Sequence, residues 1–392
     1  MEREGFSRAM CNDLRVVAMV IVVVSASWIA SGHAAVATVT TCDAANPFDN
    51  VPDQIALQAC LENFDQVLLK PDDLPGYVGY IVNDTIKPRR NGSLLTSAAI
   101  PRKAKIVAGP DLYSSMLRVS GVNDFEISFI RFDGNRENRT FISSDDGVMT
   151  RDKPCDAGHN FRNVELTGIG FKVRYVESYG AVCGSAMTIG GSRNFEVYGS
   201  LFYDNGRQPE EARGINGLWA DGLTIFDCRN STIRDNVLWD NTDVDLGVNG
   251  GASCSVYRNT IRHSYKYAFA GLAIGDPTST GGEFSDNVVA SGYNLLGFGI
   301  IVGCHPWGKC GGGYATNVSV YNNTVTGAVV NVAVDGLNGG AVYGNRVSNA
   351  QGDRVLNCPH TTQNYTVGHA INVRRLDPGY VVRTFDFGGT CQ

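Results

Sequence analysis

The chain has no apolar run long enough to cross a bilayer: its longest, Val16 to Ala30, is about 15 residues against the ~20 a spanning helix needs. It has no surplus of positive charge. Lys and Arg number 33 against 39 Asp and Glu, a net −6, which removes the electrostatic case for nucleic acid or an anionic membrane as partner. It has no Cys-x-x-Cys pair and no His/Cys group at zinc spacing, so neither a metal nor another cofactor is expected. It also lacks any alternation of strands with long amphipathic helices, which excludes a doubly wound sheet or a TIM barrel.

What is present begins with a leader. Arg3, Arg8 and Arg15 precede or open the apolar run, and Ala35-Val36-Ala37 supplies small residues for cleavage, so residues 1–37 read as a secretory signal peptide. That places the mature chain in a secreted or periplasmic compartment, with no stable membrane insertion. Cys11 leaves with the leader, and the ten remaining cysteines are an even number in an exported protein, so disulfides are the default. Cys42 with Cys60 is expected to bridge within an N-terminal cap, Cys304 with Cys310 to close a short loop, and Cys358 and Cys391 to pin the tail.

The 46 glycines and the abundance of Val, Ile, Thr, Tyr and Asn favour many short strands, and a repeat organises them. Aligning the segments STIRDNVLW, SVYRNTIRHS, EFSDNVVAS, VSVYNNTVTGA and AVYGNRVSNA puts Asn236, Asn259, Asn287, Asn323 and Asn345 in one column, with Ser200 before them. Stacked asparagines can hydrogen-bond from rung to rung. The same register aligns Met187, Leu223, Leu246, Leu272, Ile300 and Val332, then Ile189, Ile225, Val248, Ile274, Val302 and Val334, as two aliphatic stacks. These predict an all-β, single-domain right-handed parallel β-helix, a solenoid with an N-terminal helical cap; the hand follows from the rule for parallel crossovers. Cap and first coil are expected over 38–120, the β-helix over 121–352, and a closing tail over 353–392. In the cap, Ile55, Ala59 and Leu61 have helical spacing, with Asp53 as a candidate N-cap.

Between the aliphatic stacks lies the column Ala186, Gly222, Asp245, Gly271, Gly299, Asn331, read as a solvent-facing glycine floor on which Asp245 stands alone. Asp221 and Asp243 enter the same two rungs. With rungs ~4.8 Å apart, these carboxylates suit glycoside hydrolysis, in which one acid protonates the leaving oxygen and another activates water or attacks. The competing role for Asp221 and Asp243 is turn capping. His263, Lys266 and Tyr267 in the turn before the next rung, and His305, Trp307 and Lys309 in the Cys304–Cys310 loop, are the candidate sugar-binding side chains. A further outward column, Tyr198, Arg234, Tyr257, Ser285, Tyr321 and Tyr343, reads as packing.

The organisation resembles the pectate-lyase-like β-helix superfamily, and Asp221-Gly222-Leu223 with Thr242-Asp243-Val244 resembles the two aspartate motifs of polygalacturonases. The resemblance implies catalytic-acid positions at Asp221 and Asp243. Val244 stands where that family has a second aspartate, with Asp245 able to substitute, and no His-Gly pair follows on the next rung. The expected function is therefore an exported polysaccharide-active enzyme, a glycoside hydrolase first. The alternatives are a polysaccharide lyase or uronate C5-epimerase using the His263/Lys266 turn, and a non-catalytic glycan-binding or adhesin-like β-helix.

Overall fold

A computed structural model describes residues 38–139, 161–208, 218–275, 278–303, 313–351 and 363–376. The described strands fall into two sheets of 22 and 10 strands, and every paired register between strands is parallel. Parallel pairing throughout, with each strand matched to its counterpart one repeat later, is the geometry of a coil wound from successive rungs. The fold is an all-β right-handed parallel β-helix.

The aliphatic columns are the cause. Met187, Leu223, Leu246, Leu272, Ile300 and Val332 pair in unbroken register, as do Ile189, Ile225, Val248, Ile274, Val302 and Val334. All twelve are buried in one continuous core. At ~25 cal/mol per Å² of apolar surface removed from water, such stacks dominate the stability of the coil. Each rung buries its neighbour's apolar edge.

The asparagine ladder forms as the sequence implies. Asn236, Asn259, Asn287 and Asn323 each donate Nδ2–H to the Oδ1 of the next asparagine, at 2.9, 3.0, 3.0 and 2.9 Å, ending on Asn345. Ser200 opens the column with its backbone N–H on Asn236 Oδ1, 3.0 Å. Each amide also donates to a backbone carbonyl, so polar turns stay satisfied although buried.

Strand pairing runs through both flanking segments. Gln66–Leu69 and Leu94–Ser97 already pair as rungs before Gly121. Gln363–Val367 adds a rung on Val330–Val334 beyond residue 352. The helix Gln54–Asn63 caps the start, and Cys42 is bridged to Cys60. Its inner face is Leu57, Cys60 and Leu61, whereas Ile55 is 80% exposed, one position away from the expected stripe. Asp53 sits at the N-cap but makes no capping bond; it accepts the Asn46 and Ile81 backbone N–H groups instead, tying helix to sheet. Cys228 and Cys254 form a second bridge between adjacent rungs. No described helix is long and apolar enough to cross a membrane.

Candidate active site

Two long strands, Ala220–Arg234 and Val244–Tyr257, carry Asp221 and Asp245, and Asp243 sits in the bend immediately before the second. Their register, Leu223 against Leu246, places Asp221 beside Val244 and Gly222 beside Asp245. On the outer side run Ser185, Asp221, Val244, Ala270, Phe298 and Val330, and then Thr188, Thr224, Gly247, Ala273, Ile301 and Ala333.

The glycine column does not face solvent. Ala186, Gly222, Asp245, Gly271, Gly299 and Asn331 are all buried, and Asp245 is 0% exposed. At this corner two successive positions of each strand point inward, so Asp245 and Leu246 both enter the coil. The glycines are there for backbone approach: a Cβ on Gly222 would lie 2.6 Å from Asp245 O and 2.8 Å from Asn241 Nδ2. Strict alternation would have put the column outside, and the corner breaks alternation.

Inside, Asp245 is fully partnered. Asn241 Nδ2–H donates to its Oδ1 at 2.7 Å, and His263 Nε2 lies 2.6 Å from its Oδ2. His263 Nδ1 lies 2.9 Å from the Lys266 carbonyl. Both ring nitrogens face acceptors, an arrangement that the doubly protonated ring satisfies. Burial alone would push His263 down; the Asp245 carboxylate overrides it and holds its pKa up. Asn205 leads into this chain through Asn241, 2.7 Å. Asn205 and Asn241 follow Ser200 and Asn236 by the same five positions, a period visible in the sequence.

Lys266, also expected at the substrate, is 6% exposed. Its Nζ sits 2.5 Å from Asp204 and donates to Gly206 O at 3.0 Å, and burial, aided by the nearby Arg136 charge, pushes its pKa down to about 8. Tyr267 is half-buried and accepts Gln208 Nε2–H on its carbonyl. His263 and Lys266 thus brace the turn instead of lining the surface. His305, Trp307 and Lys309, with Cys304, Cys310, Cys358, Cys391 and the leader, lie outside the described residues.

Asp221 and Asp243 are different: each keeps partial exposure on the outer face. Asp221 Oδ1 accepts the Val244 N–H at 3.1 Å, and its Oδ2 accepts the hydroxyls of Thr224 and, at 3.4 Å, Ser185. These hydroxyls, 2.7 Å apart, were not singled out from sequence; they lie at i+3 and one rung back. Asp243 makes no side-chain hydrogen bond among the described residues. Burial and then the Asp243 charge push Asp221 up to about 8, and burial pushes Asp243 up to about 6. Among the described residues no three His, Cys, Asp or Glu gather as a metal site.

Thr224 gives the pair a checkable handle, because a hydroxyl donating to a carboxylate favours its ionised form. Thr224→Val should raise the Asp221 titration by about 1 unit, read by NMR or as a shift of the alkaline limb of activity. An unmoved titration would show that the hydroxyl does not hold this carboxylate.

No protein-family model and no curated protein sequence matches the chain. Solved structures do. A polygalacturonase from Erwinia carotovora ssp. carotovora superposes with TM-score 0.54 at 11% identity, over 89% of this chain and 96% of that enzyme. A DFA-IIIase from Arthrobacter chlorophenolicus A6, bound to GF2, gives 0.52 at 12% identity over 87% and 92%. Tailspike protein 2 of Escherichia coli O157:H7 bacteriophage CAB120 gives 0.51 at 11%, over 85% of this chain, which spans only 43% of the tailspike. The class is settled at the level of fold: the chain has the right-handed parallel β-helix shared by these proteins.

Proposed function

We propose that the chain is an exported glycoside hydrolase acting on a polysaccharide, with Asp221 as general acid and Asp243 as the ionised partner that activates water or attacks. The observation that carries this is the pair itself. Two partly exposed carboxylates on adjacent rungs repel each other in a water-poor site, so one keeps a proton at neutral pH while the other is charged. Those are the two protonation states that glycoside hydrolysis requires. The motif resemblance to polygalacturonases and the likeness of fold to one support the same assignment. The disulfides fit an oxidising compartment outside the cytoplasm.

Asp245 is assigned to the buried network. The lyase or epimerase reading needs a base and a cation at the substrate, and its candidates His263 and Lys266 are buried and engaged.

Incubation with a panel of polysaccharides, scoring reducing ends and ultraviolet-absorbing unsaturated ends together, is the direct test. New reducing ends without unsaturation are expected. Unsaturated ends would replace the hydrolase by a lyase. Neither signal, with proton NMR of the recovered polymer unchanged, would leave a binding protein. Activity should peak between about pH 6 and 8: it falls below as Asp243 takes up a proton, and above as Asp221 loses its own. The two limbs belong to the coupled pair.

A further inference from the structure

We infer that Trp219 and Phe226 are a pair of sugar-stacking platforms bracketing Asp221, so that the glycan lies along the strand Ala220–Arg234, across the coil axis. This rests on the hydrolase reading of Asp221 and Asp243. Both rings are open to solvent, Trp219 at 49% and Phe226 at 42% exposure. Two exposed rings on either side of one carboxylate offer flat apolar faces on which sugar rings can stack.

Several surface aromatics on this coil cover one another, while Tyr113, Tyr265 and Tyr293 are exposed like Trp219 and Phe226 but do not flank Asp221 on its own strand. Tyr179 stacks on Tyr203, and Tyr203 meets Trp239. Tyr321 stacks on Tyr343, while Arg234 lies over Tyr198 and Arg258 over Tyr257. Among the described residues, neither Trp219 nor Phe226 stacks on a ring or a cation. On the preceding rung Phe226 is matched to Gly190, which has no side chain to shield it.

The backbone on either side of Trp219 is anchored. Leu218 before it and Ala220 after it are buried, and Leu218 pairs by two 2.8 Å backbone hydrogen bonds with Arg207. Thr242 Oγ1 donates to Leu218 O and accepts Ala220 N–H, spanning the tryptophan. An indole on an anchored backbone presents a flat apolar face with little backbone entropy left to lose on binding.

The direction follows from spacing. At ~3.3 Å per residue, Trp219 lies ~7 Å and Phe226 ~16 Å from Asp221, on opposite sides along one strand. Along the axis, by contrast, the outer columns beyond the aspartates close over. Val244, Ala270, Ala273, Phe298, Ile301, Val330 and Ala333 form a second buried apolar cluster with no exposed surface for a chain to follow.

The test uses the full-length protein and three probes: oligosaccharides of a fructan, of polygalacturonate and of alginate. Binding is measured by calorimetry on Asp221→Asn, and turnover on the parent. Trp219→Ala and Phe226→Ala should each weaken binding and raise KM roughly three- to tenfold with kcat nearly kept and melting unchanged, and Trp219→Phe should recover most of the loss. Thr167→Ala and Asn249→Ala, exposed or half-exposed positions matched to Gly190 and Phe226 on neighbouring rungs, should change neither. Sensitivity at Thr167 and Asn249 without sensitivity at Phe226 would overturn the direction. Unchanged binding in both aromatic variants would overturn the platforms while leaving the acids intact. Full turnover in Asp221→Asn would instead remove the hydrolase assignment, with the platforms judged on binding alone. No binding of any probe to Asp221→Asn, with none cut by the parent, would count against both.

Discussion

Asp221→Asn and Asp243→Asn should each lower turnover on a cleaved polysaccharide by ~10²–10⁴ with the melting temperature unchanged. The amide keeps the shape of the carboxylate and most of its hydrogen bonds while removing the titrating proton. Asp221 would still accept Val244 N–H and one hydroxyl, so nothing in the packing demands its charge. The double variant should lose far less than the product of the two singles, because an acid and its partner act as one unit. Asp227, partly exposed further along the same strand and 2.8 Å from Arg229, is the control, and Asp227→Asn should be near neutral. Full activity in either Asp221→Asn or Asp243→Asn would take the chemistry away from this pair.

Asp245→Ala should do the opposite, destabilising the coil first. Removing it takes the nearer carboxylate from buried His263, leaving only Asp240 at 3.7 Å from Nδ1, and strips Asn241 of its acceptor, a change of about 3–5 kcal/mol for a broken buried pair. The expected readout is a melting midpoint several degrees lower, with any loss of activity tracking loss of folded protein. A variant that melts like the parent yet turns nothing over would show that Asp245 serves the reaction directly. The contrast with Asp221 is the sharper for their closeness in register: one rung apart, one acid is at the surface and the other is sealed inside.

Much of this was legible in the chain before any coordinates. The period, the two aliphatic stacks and the asparagine column are set by residue type at fixed spacing, because a coil offers each rung the same environment as the last. Sequence alone therefore determined the fold, the Cys42–Cys60 bridge and the two rungs that Asp221 and Asp243 enter. What it could not determine is which side a polar residue faces where the strand turns a corner. Asp245 and Lys266 read as surface groups, and His263 as a surface base, since charged side chains are seldom buried. Only the tertiary structure supplies the partners that make their burial tolerable: Asn241 and His263 for Asp245, Asp204 and Gly206 for Lys266. The same holds for Trp219. Its exposure is fixed by Leu218 and Ala220 being drawn into the core on either side, a contest between neighbours that is decided in three dimensions.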